Sequence, residues 1–319
     1  MTSPFMALAA AQAENYIGAT SPNPPVGACL VKDGRILALG AHARAGTDHA
    51  EIVALKQALS AHGAEAVRGS TLYVTLEPCN HFGKTPPCTA AIIEAGIAHV
   101  IYGLADPNKK ACGGAQALMS SGVRVESGGA DYCSELVRPF FKWLRTNKPW
   151  VVHKLAYRSD QDGTLTMIPT RGQTTFTSPE SLKLAHLERR KADAILTGLG
   201  TVLVDAPSFN VRHHQDHDGK RRFIAVVSRD GRSAPTTWVE RQNALGHQVL
   251  YFESINSALE DLGKRGCHRV LVEAGPTLSS QITAENLWDE RLLFIASPGT
   301  KNSDHVSREL SREHSCSQE

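Results

Sequence analysis

The sequence predicts an α/β protein built as two domains. Three observations lead there: a length of 319 residues, strand-like and helix-like segments alternating through both halves, and a pause in that alternation at Arg145-Thr146-Asn147-Lys148-Pro149. A chain of this length holds core enough for two domains of roughly 150 residues each. Alternating strands and helices are the pattern that packs helices against a sheet. The expected domains are residues 1–146 and 150–319.

The elements follow in order. Ser3 and Pro4 suit the cap and first position of an N-terminal helix. Val26 to Val31 is an apolar strand that runs into the turn Lys32-Asp33-Gly34, with Arg35 to Gly40 as its hairpin partner. His49 to His62 has helical spacing, with Ile52, Leu55, Ala58 and Leu59 on one face and Gly63 as a stop. Thr71 to Leu76 is a strand of β-branched and aromatic residues. Thr89 to Ala95 is a helix ended by Gly96, and His99 to Gly103 is the next strand. In the second half a strand opens at Trp150-Val151-Val152 and a helix spans Pro179 to Lys191. Strands follow at Ala194 to Thr197, Phe223 to Val227 and Arg269 to Glu273. Ligands of open α/β sheets gather at the carboxyl ends of strands. The turns Gly198-Leu199-Gly200 and Ala274-Gly275-Pro276 are therefore the nucleotide-binding candidates. Residues 213–218 read as a polar insertion, with His213, His214 and His217 in a hydrated loop rather than a metal site.

Composition excludes several classes. A hydrophobic content of 41% with 21% charged residues is that of an ordinary soluble protein. A net charge of +2 gives no field that calls for nucleic acid. No run approaches the roughly 18 apolar residues of a membrane span, and the N-terminus lacks the basic stretch of a signal peptide. Seven scattered cysteines, an odd number, fit metal ligation or burial better than a disulfide framework, and a cytoplasmic location follows.

The chemistry lies in His49-Ala50-Glu51, answered by Pro78-Cys79 and Cys88. One imidazole and two thiolates suit Zn²⁺ and leave a fourth position for water. Water in that position loses a proton near neutral pH and attacks a carbon bearing an exocyclic amine. Glu51 then takes the proton and returns it to the ring nitrogen and the departing ammonia. Zinc deaminases of nucleobases carry H-x-E with P-C-x-x-C; here eight residues separate the two cysteines instead of two. A structural zinc site would recruit His81 as a fourth ligand, which leaves Glu51 without a purpose.

Longer motifs sharpen this reading. Ser21-Pro22-Asn23-Pro24-Pro25-Val26-Gly27, the run from Gly40 through His42 to Gly46, and Tyr73 through Cys79 to Cys88 resemble the bifunctional riboflavin-biosynthesis deaminase/reductase family. Asp106-Pro107-Asn108 is another of its marks. The resemblance implies a cytidine-deaminase-like three-layer α/β/α domain followed by a dihydrofolate-reductase-like α/β domain. It implies deamination of a diaminopyrimidinone carrying a phosphoribosylamino group, a small-molecule substrate. His81, Lys84 and Thr85 in the long spacer supply donors for the phosphate. By resemblance, Asn23 binds the pyrimidine edge, and His42, Asp106 and Asn108 hold ring or ribose.

The second half resembles the family's NADPH-dependent reductase. The resemblance places Lys154, Asp205 and Glu273 at the reacting end, Arg189 and Arg212 on the substrate phosphate, and Ser178, Thr201 and Gly275 beside the cofactor. Four departures stand out. Asp205-Ala206-Pro207 lacks a carboxylate, and an insertion lengthens Arg158 to Gly163. Ser228-Arg229 replaces Asp-Ser, and the tail from Ser297 leaves the family pattern and stops short of it. Arg229 admits two readings, a partner for the cofactor's 2′-phosphate or a solvated surface arginine. The alternatives are a deaminase-only paralogue whose second domain is a scaffold or that acts on another pyrimidine-derived metabolite, and a nucleic-acid-editing deaminase, which the near-neutral charge and the phosphate loop disfavour. A homo-oligomer is left open.

Overall fold

The computed structural model describes residues 3–81, 86–108, 112–129, 131–160, 162, 164–167, 178–296 and 304–311. Lys84 and Thr85 lie outside them. The chain divides into two compact units, Met1–Leu144 and Arg145–Glu319. Among the described residues no helix is long and apolar enough to cross a membrane.

The first unit runs α1 (Pro4–Glu14), β1 (Gly27–Lys32), β2 (Arg35–Ala41), α2 (Ala50–Val67), β3 (Thr71–Leu76), α3 (Cys88–Glu94), β4 (His99–Leu104), α4 (Gly114–Ser120), β5 (Arg124–Ser127) and α5 (Asp131–Thr146). Its sheet has the order β2-β1-β3-β4-β5, with the first two pairings antiparallel and the last two parallel. Side chains alternate across a strand, and β1 shows how this builds three layers. Ala28 and Leu30 pack with Ala54, Ala58 and Ile92 under α2 and α3. Cys29 and Val31 point the other way, onto Ala9 of α1.

Helix α1 begins at Pro4 as the sequence indicates, but the Ser3 side chain makes no capping bond. Two details of α2 differ from the spacing argument. Gly63, with φ of 78°, interrupts the helix without ending it, and the helix resumes to Val67. Ala54 lies on the buried face while Leu59 is exposed. The small residue is required because β2 runs against the first turns of α2: a Cβ on Gly40 would lie 2.2 Å from the Ala50 carbonyl oxygen.

The second unit runs β6 (Trp150–Ser159), β7 (Leu165–Met167), α6 (Pro179–Lys191), β8 (Ala194–Gly198), α7 (Leu199–Asp205), β9 (Phe223–Val227), α8 (Thr236–Ala244), β10 (Gln248–Phe252), α9 (Ile255–Lys264), β11 (Arg269–Val272), α10 (Pro276–Ala284), β12 (Glu290–Ala296) and β13 (Asp304–Leu310). The strand order is β10-β9-β8-β11-β6-β12-β13, with β7 added to β6. From β10 to β12 every pairing is parallel, and β13 closes one edge antiparallel to β12. Ala194 and Leu196 face α9 and α10, whereas Ile195 faces α7 and α8. Residues read as a turn, Gly198-Leu199-Gly200, instead start α7, because Leu199 and Val202 bury against that second face.

An ion network ties the edge strand to the middle of the sheet. Arg269 and Arg308 both engage Glu188 and Glu290, and Glu188 is fully buried. The polar insertion is anchored as well: Asp216 accepts two hydrogen bonds from the buried guanidinium of Arg222, and His214 and His217 also have partners.

Three buried histidines make this unit acid-sensitive. Burial pushes the imidazoles of His153, His186 and His247 down to about 4. Unfolded histidine binds its proton near pH 6.5. As pH falls the unfolded state therefore takes up protons first, and stability drops between about pH 6.5 and 4. The urea midpoint of the second unit, followed by tryptophan fluorescence, should fall across that window, and less steeply in His247→Phe. A midpoint that stays level there would contradict buried neutral histidines.

Candidate functional site

Strands β3 and β4 are parallel neighbours, so their carboxyl ends open on the same side of the sheet. The segment Glu77-Pro78-Cys79 leaves β3 there, and Asp106-Pro107-Asn108 leaves β4. Two helices start at this rim. His49 is the N-cap residue of α2, with Glu51 in its first turn, and Cys88 is the first residue of α3. Helix N-termini favour negative charge, which suits thiolates.

His49 Nδ1 lies 3.5 Å from Cys79 Sγ and 3.3 Å from Cys88 Sγ. All three ligand atoms fall within 4.8 Å of one another. Zinc bonds of about 2.3 Å to sulfur and about 2.0 Å to nitrogen, at tetrahedral angles, set a nitrogen–sulfur edge of about 3.5 Å. The donor set therefore fits a zinc ion in size and in chemistry. Among the described residues this is the one cluster of three or more His, Cys, Asp or Glu groups able to hold a metal.

Electrostatics agree. A hydrogen bond from the Cys88 thiol is the main cause that draws the Cys79 thiol down to about 4, against burial, with further help from His49 and the Cys88 backbone N–H. The hydrogen bond with Cys79 raises the His49 imidazole above its ordinary value. Glu51 is 3% exposed, and burial lifts its carboxyl above the usual range. That is the direction a group that carries protons near neutral pH requires.

Around these atoms the structure gathers most of the first half's candidate residues. The His42 ring meets the His49 ring edge-on at 5.3 Å, and its Nδ1 is 3.0 Å from the Asp48 carbonyl oxygen. Asn23 Nδ2 lies 3.1 Å from His42 Nε2. Asp106 accepts the Asn108 backbone N–H, and burial raises its carboxyl, with Glu77 and Cys79 adding to the effect. His81 is exposed at the rim.

Two supporting residues were not singled out from the sequence. Glu77 accepts the backbone N–H groups of Asp106 and Ala115, fixing the β4 exit and the start of α4 to the residue before Pro78. Gly114 lets α4 come close: a Cβ there would sit 1.8 Å from the Pro78 carbonyl oxygen. Glu77 did stand in the run Leu76-Glu77-Pro78-Cys79, where an acid between a strand and a proline is the signal to notice.

In the second unit Glu273, at the end of β11, receives Lys154 Nζ at 2.8 Å and Arg189 at 2.5 and 2.9 Å. Burial pushes Glu273 up, but Arg189 and Lys154 prevail and hold it well below the usual carboxylate range. Arg189 also donates to the Asn210 carbonyl, so most of its fork is engaged by protein. Arg212 is exposed, and its backbone N–H bonds His186 Nδ1. Thr201 and Gly275 meet directly, Gly275 N–H donating to Thr201 Oγ1 at 3.0 Å. With Asp205 they line a cleft of about 560 Å³ at the carboxyl ends of β8, β9 and β11. Among the described residues the buried Asp205 Oδ1 has no hydrogen-bond partner. Ser178 is not among the lining residues. It caps α6 through its side chain and donates its N–H to Asp304.

Comparison with known proteins decides the family. The model of the cytidine and deoxycytidylate deaminase zinc-binding region matches residues 2–104, and that of the RibD C-terminal domain matches residues 150–298. The riboflavin biosynthesis protein RibD of Aquifex aeolicus is 36% identical, over 92% of this chain and 86% of its own. The chain belongs to the bifunctional riboflavin-biosynthesis deaminase/reductase family, RibD. RibD from Acinetobacter baumannii superposes with a TM-score of 0.77 at 32% identity, over 93% of this chain and 88% of that one. A diaminohydroxyphosphoribosylaminopyrimidine deaminase/5-amino-6-(5-phosphoribosylamino)uracil reductase from Thermotoga maritima gives 0.77 at 31%, over 91% and 85%. The chain is thus an enzyme with a deaminase half and a reductase half, and the reading of the second half as a mere scaffold is not favoured.

Two expectations follow from this geometry. Gly114→Ala should force α4 away from Pro78 and lower the zinc retained after dialysis, by metal analysis; full retention would show that the approach is dispensable. Glu273→Ala should leave Arg189 buried without its counter-charge and destabilise the second unit by about 3–5 kcal/mol, measured by urea unfolding.

Proposed function

We propose that the first unit removes the exocyclic amine of a diaminopyrimidinone bearing a phosphoribosylamino group, and that the second reduces the ribosyl group of the product to ribityl. The observation that carries this reading is the triangle of His49, Cys79 and Cys88 with the buried carboxyl of Glu51 beside it. Zinc, when bound by these three residues, supplies a Lewis acid that activates water near neutral pH.

The chain's own groups divide the remaining labour. Glu51 takes a first proton from the attacking water and passes it to the ring nitrogen as the C–O bond forms. It then takes the second proton, from the added hydroxyl, and passes it to the amine, which leaves as ammonia when the C–N bond breaks. Its burial keeps the proton-bearing form accessible. Asn23, oriented by His42, addresses the pyrimidine edge, and His42 is itself fixed by the Asp48 carbonyl. Asp106 and Asn108, held in one tight turn that Glu77 anchors, address ring or ribose. His81, with Lys84 and Thr85, supplies donors for the phosphate.

In the second unit NADPH supplies the hydride when bound. Gly275, Thr201 and Asp205 line the cleft that would hold it. Glu273 orients Lys154 toward the reacting end by a direct ion pair, while Arg189 and Arg212 supply positive charge for the substrate phosphate. Near-attack placement is what such a site contributes, since a displacement of about 1 Å is expensive.

Replacing Glu51 by Gln should abolish ammonia release, by at least about a hundredfold, with zinc content unchanged; sustained turnover in that variant would remove Glu51 from the proton path. Offering the deaminated phosphoribosylaminouracil with NADPH should produce loss of nicotinamide absorbance, and none should be seen with Lys154→Ala. Equal rates in wild type and variant would exclude Lys154 from the reacting end.

A further inference from the structure

We infer that Arg229 reads the 2′-phosphate of the dinucleotide and so sets the preference of the second unit for the phosphorylated cofactor. The inference rests on the reading that the cleft beyond β8, β9 and β11 holds a nicotinamide dinucleotide. Strands β8 and β9 are parallel and in register from Ala194 opposite Phe223 to Gly198 opposite Val227, so their carboxyl ends open together. On the β8 side the rim is backbone: Gly200 has open space where a side chain would stand, and Gly275 bonds Thr201 at the start of α10. The first-turn amides of a helix lack intrahelical acceptors and favour an anion such as a diphosphate. On the β9 side the rim is charged and consists of Ser228, Arg229, Asp230 and Arg232.

The acid at this rim is already committed. Asp230 Oδ2 receives Arg232 Nε at 2.6 Å, and its Oδ1 receives Ser228 Oγ at 3.1 Å and the Arg232 backbone N–H at 3.3 Å. Asp230 and Arg232 therefore cancel in charge. Arg229 is exposed, lines the cleft, and makes no hydrogen bond or ion pair among the described residues. In doubly wound folds an acid at the end of the neighbouring strand accepts a bond from the unmodified ribose hydroxyl, whereas an arginine there accommodates a 2′-phosphate. Here the acid is occupied and the arginine is available. A guanidinium presents a planar fork that matches two phosphate oxygens.

The test is calorimetric titration of the full-length protein with 2′,5′-ADP and with 5′-ADP, which requires no turnover. Wild type should bind 2′,5′-ADP about 10- to 100-fold more tightly. Arg229→Ser should shrink that ratio to below about threefold while 5′-ADP binds as before, which also shows the fold intact. Arg229→Lys should fall between the two. An undiminished ratio in Arg229→Ser, or no preference in wild type, would overturn the assignment yet leave the cleft a nucleotide site. Binding of neither nucleotide by wild type would overturn the cleft reading together with it.

Discussion

The requirement that one nitrogen stand about 3.5 Å from each of two sulfurs governs the first unit. No single element could meet it. The imidazole comes from the cap of α2, one thiol from the exit of β3, and the other from the first residue of α3. Their meeting depends on how closely backbone can approach backbone. Gly40 sets the distance from β2 to α2, and Gly114 sets the distance from α4 to Pro78. Glu77 then secures the amides of Asp106 and Ala115, tying the turn after β4 and the start of α4 to the same framework.

The second unit solves a complementary problem with the same strand-end layout. The first site collects groups that become anionic and awaits a cation. The second gathers Lys154 and Arg189 around Glu273 and sets Arg229 at the rim of its cleft. Cations at close quarters repel one another, and Glu273 offsets this by holding two of them at once. The two cations in turn hold the Glu273 carboxyl well below the usual carboxylate range. The buried network of Glu188, Arg269, Glu290 and Arg308 repeats the device away from the cleft, where its effect is to fasten β13 to the sheet.

Much of this was legible in the sequence, for reasons that particular residues make clear. Strands such as Thr71–Leu76 and Phe223–Val227 have the composition and length of buried strands, so local reading sufficed. The convergence of His49, Cys79 and Cys88 was legible because their types and spacing leave few other chemistries. What failed was decided by distant partners. Leu59 looked like a core residue, but Ala50, Ala54 and Ala58 take the packed face of α2 and Leu59 is left exposed. The glycines flanking Leu199 suggested a turn, while burial of Leu199 and Val202 makes a helix profitable there. Asp216 looked solvated because Arg222, its partner, is hidden by the fold rather than by the local sequence.

The strand order of the second unit has a consequence for the growing chain. β6 is the first strand of that unit to be made, yet apart from the short β7 at its end its neighbours in the sheet are β11 and β12. Lys154 and Glu273, which meet across this gap, are separated by 119 positions. At ribosomal rates of about 5–20 residues per second, β6 waits on the order of ten seconds for its first long partner. Through that interval Trp150, Val151 and Val152 have no sheet to enter. The pairing of Lys154 with Glu273 therefore forms only after β11 has left the ribosome.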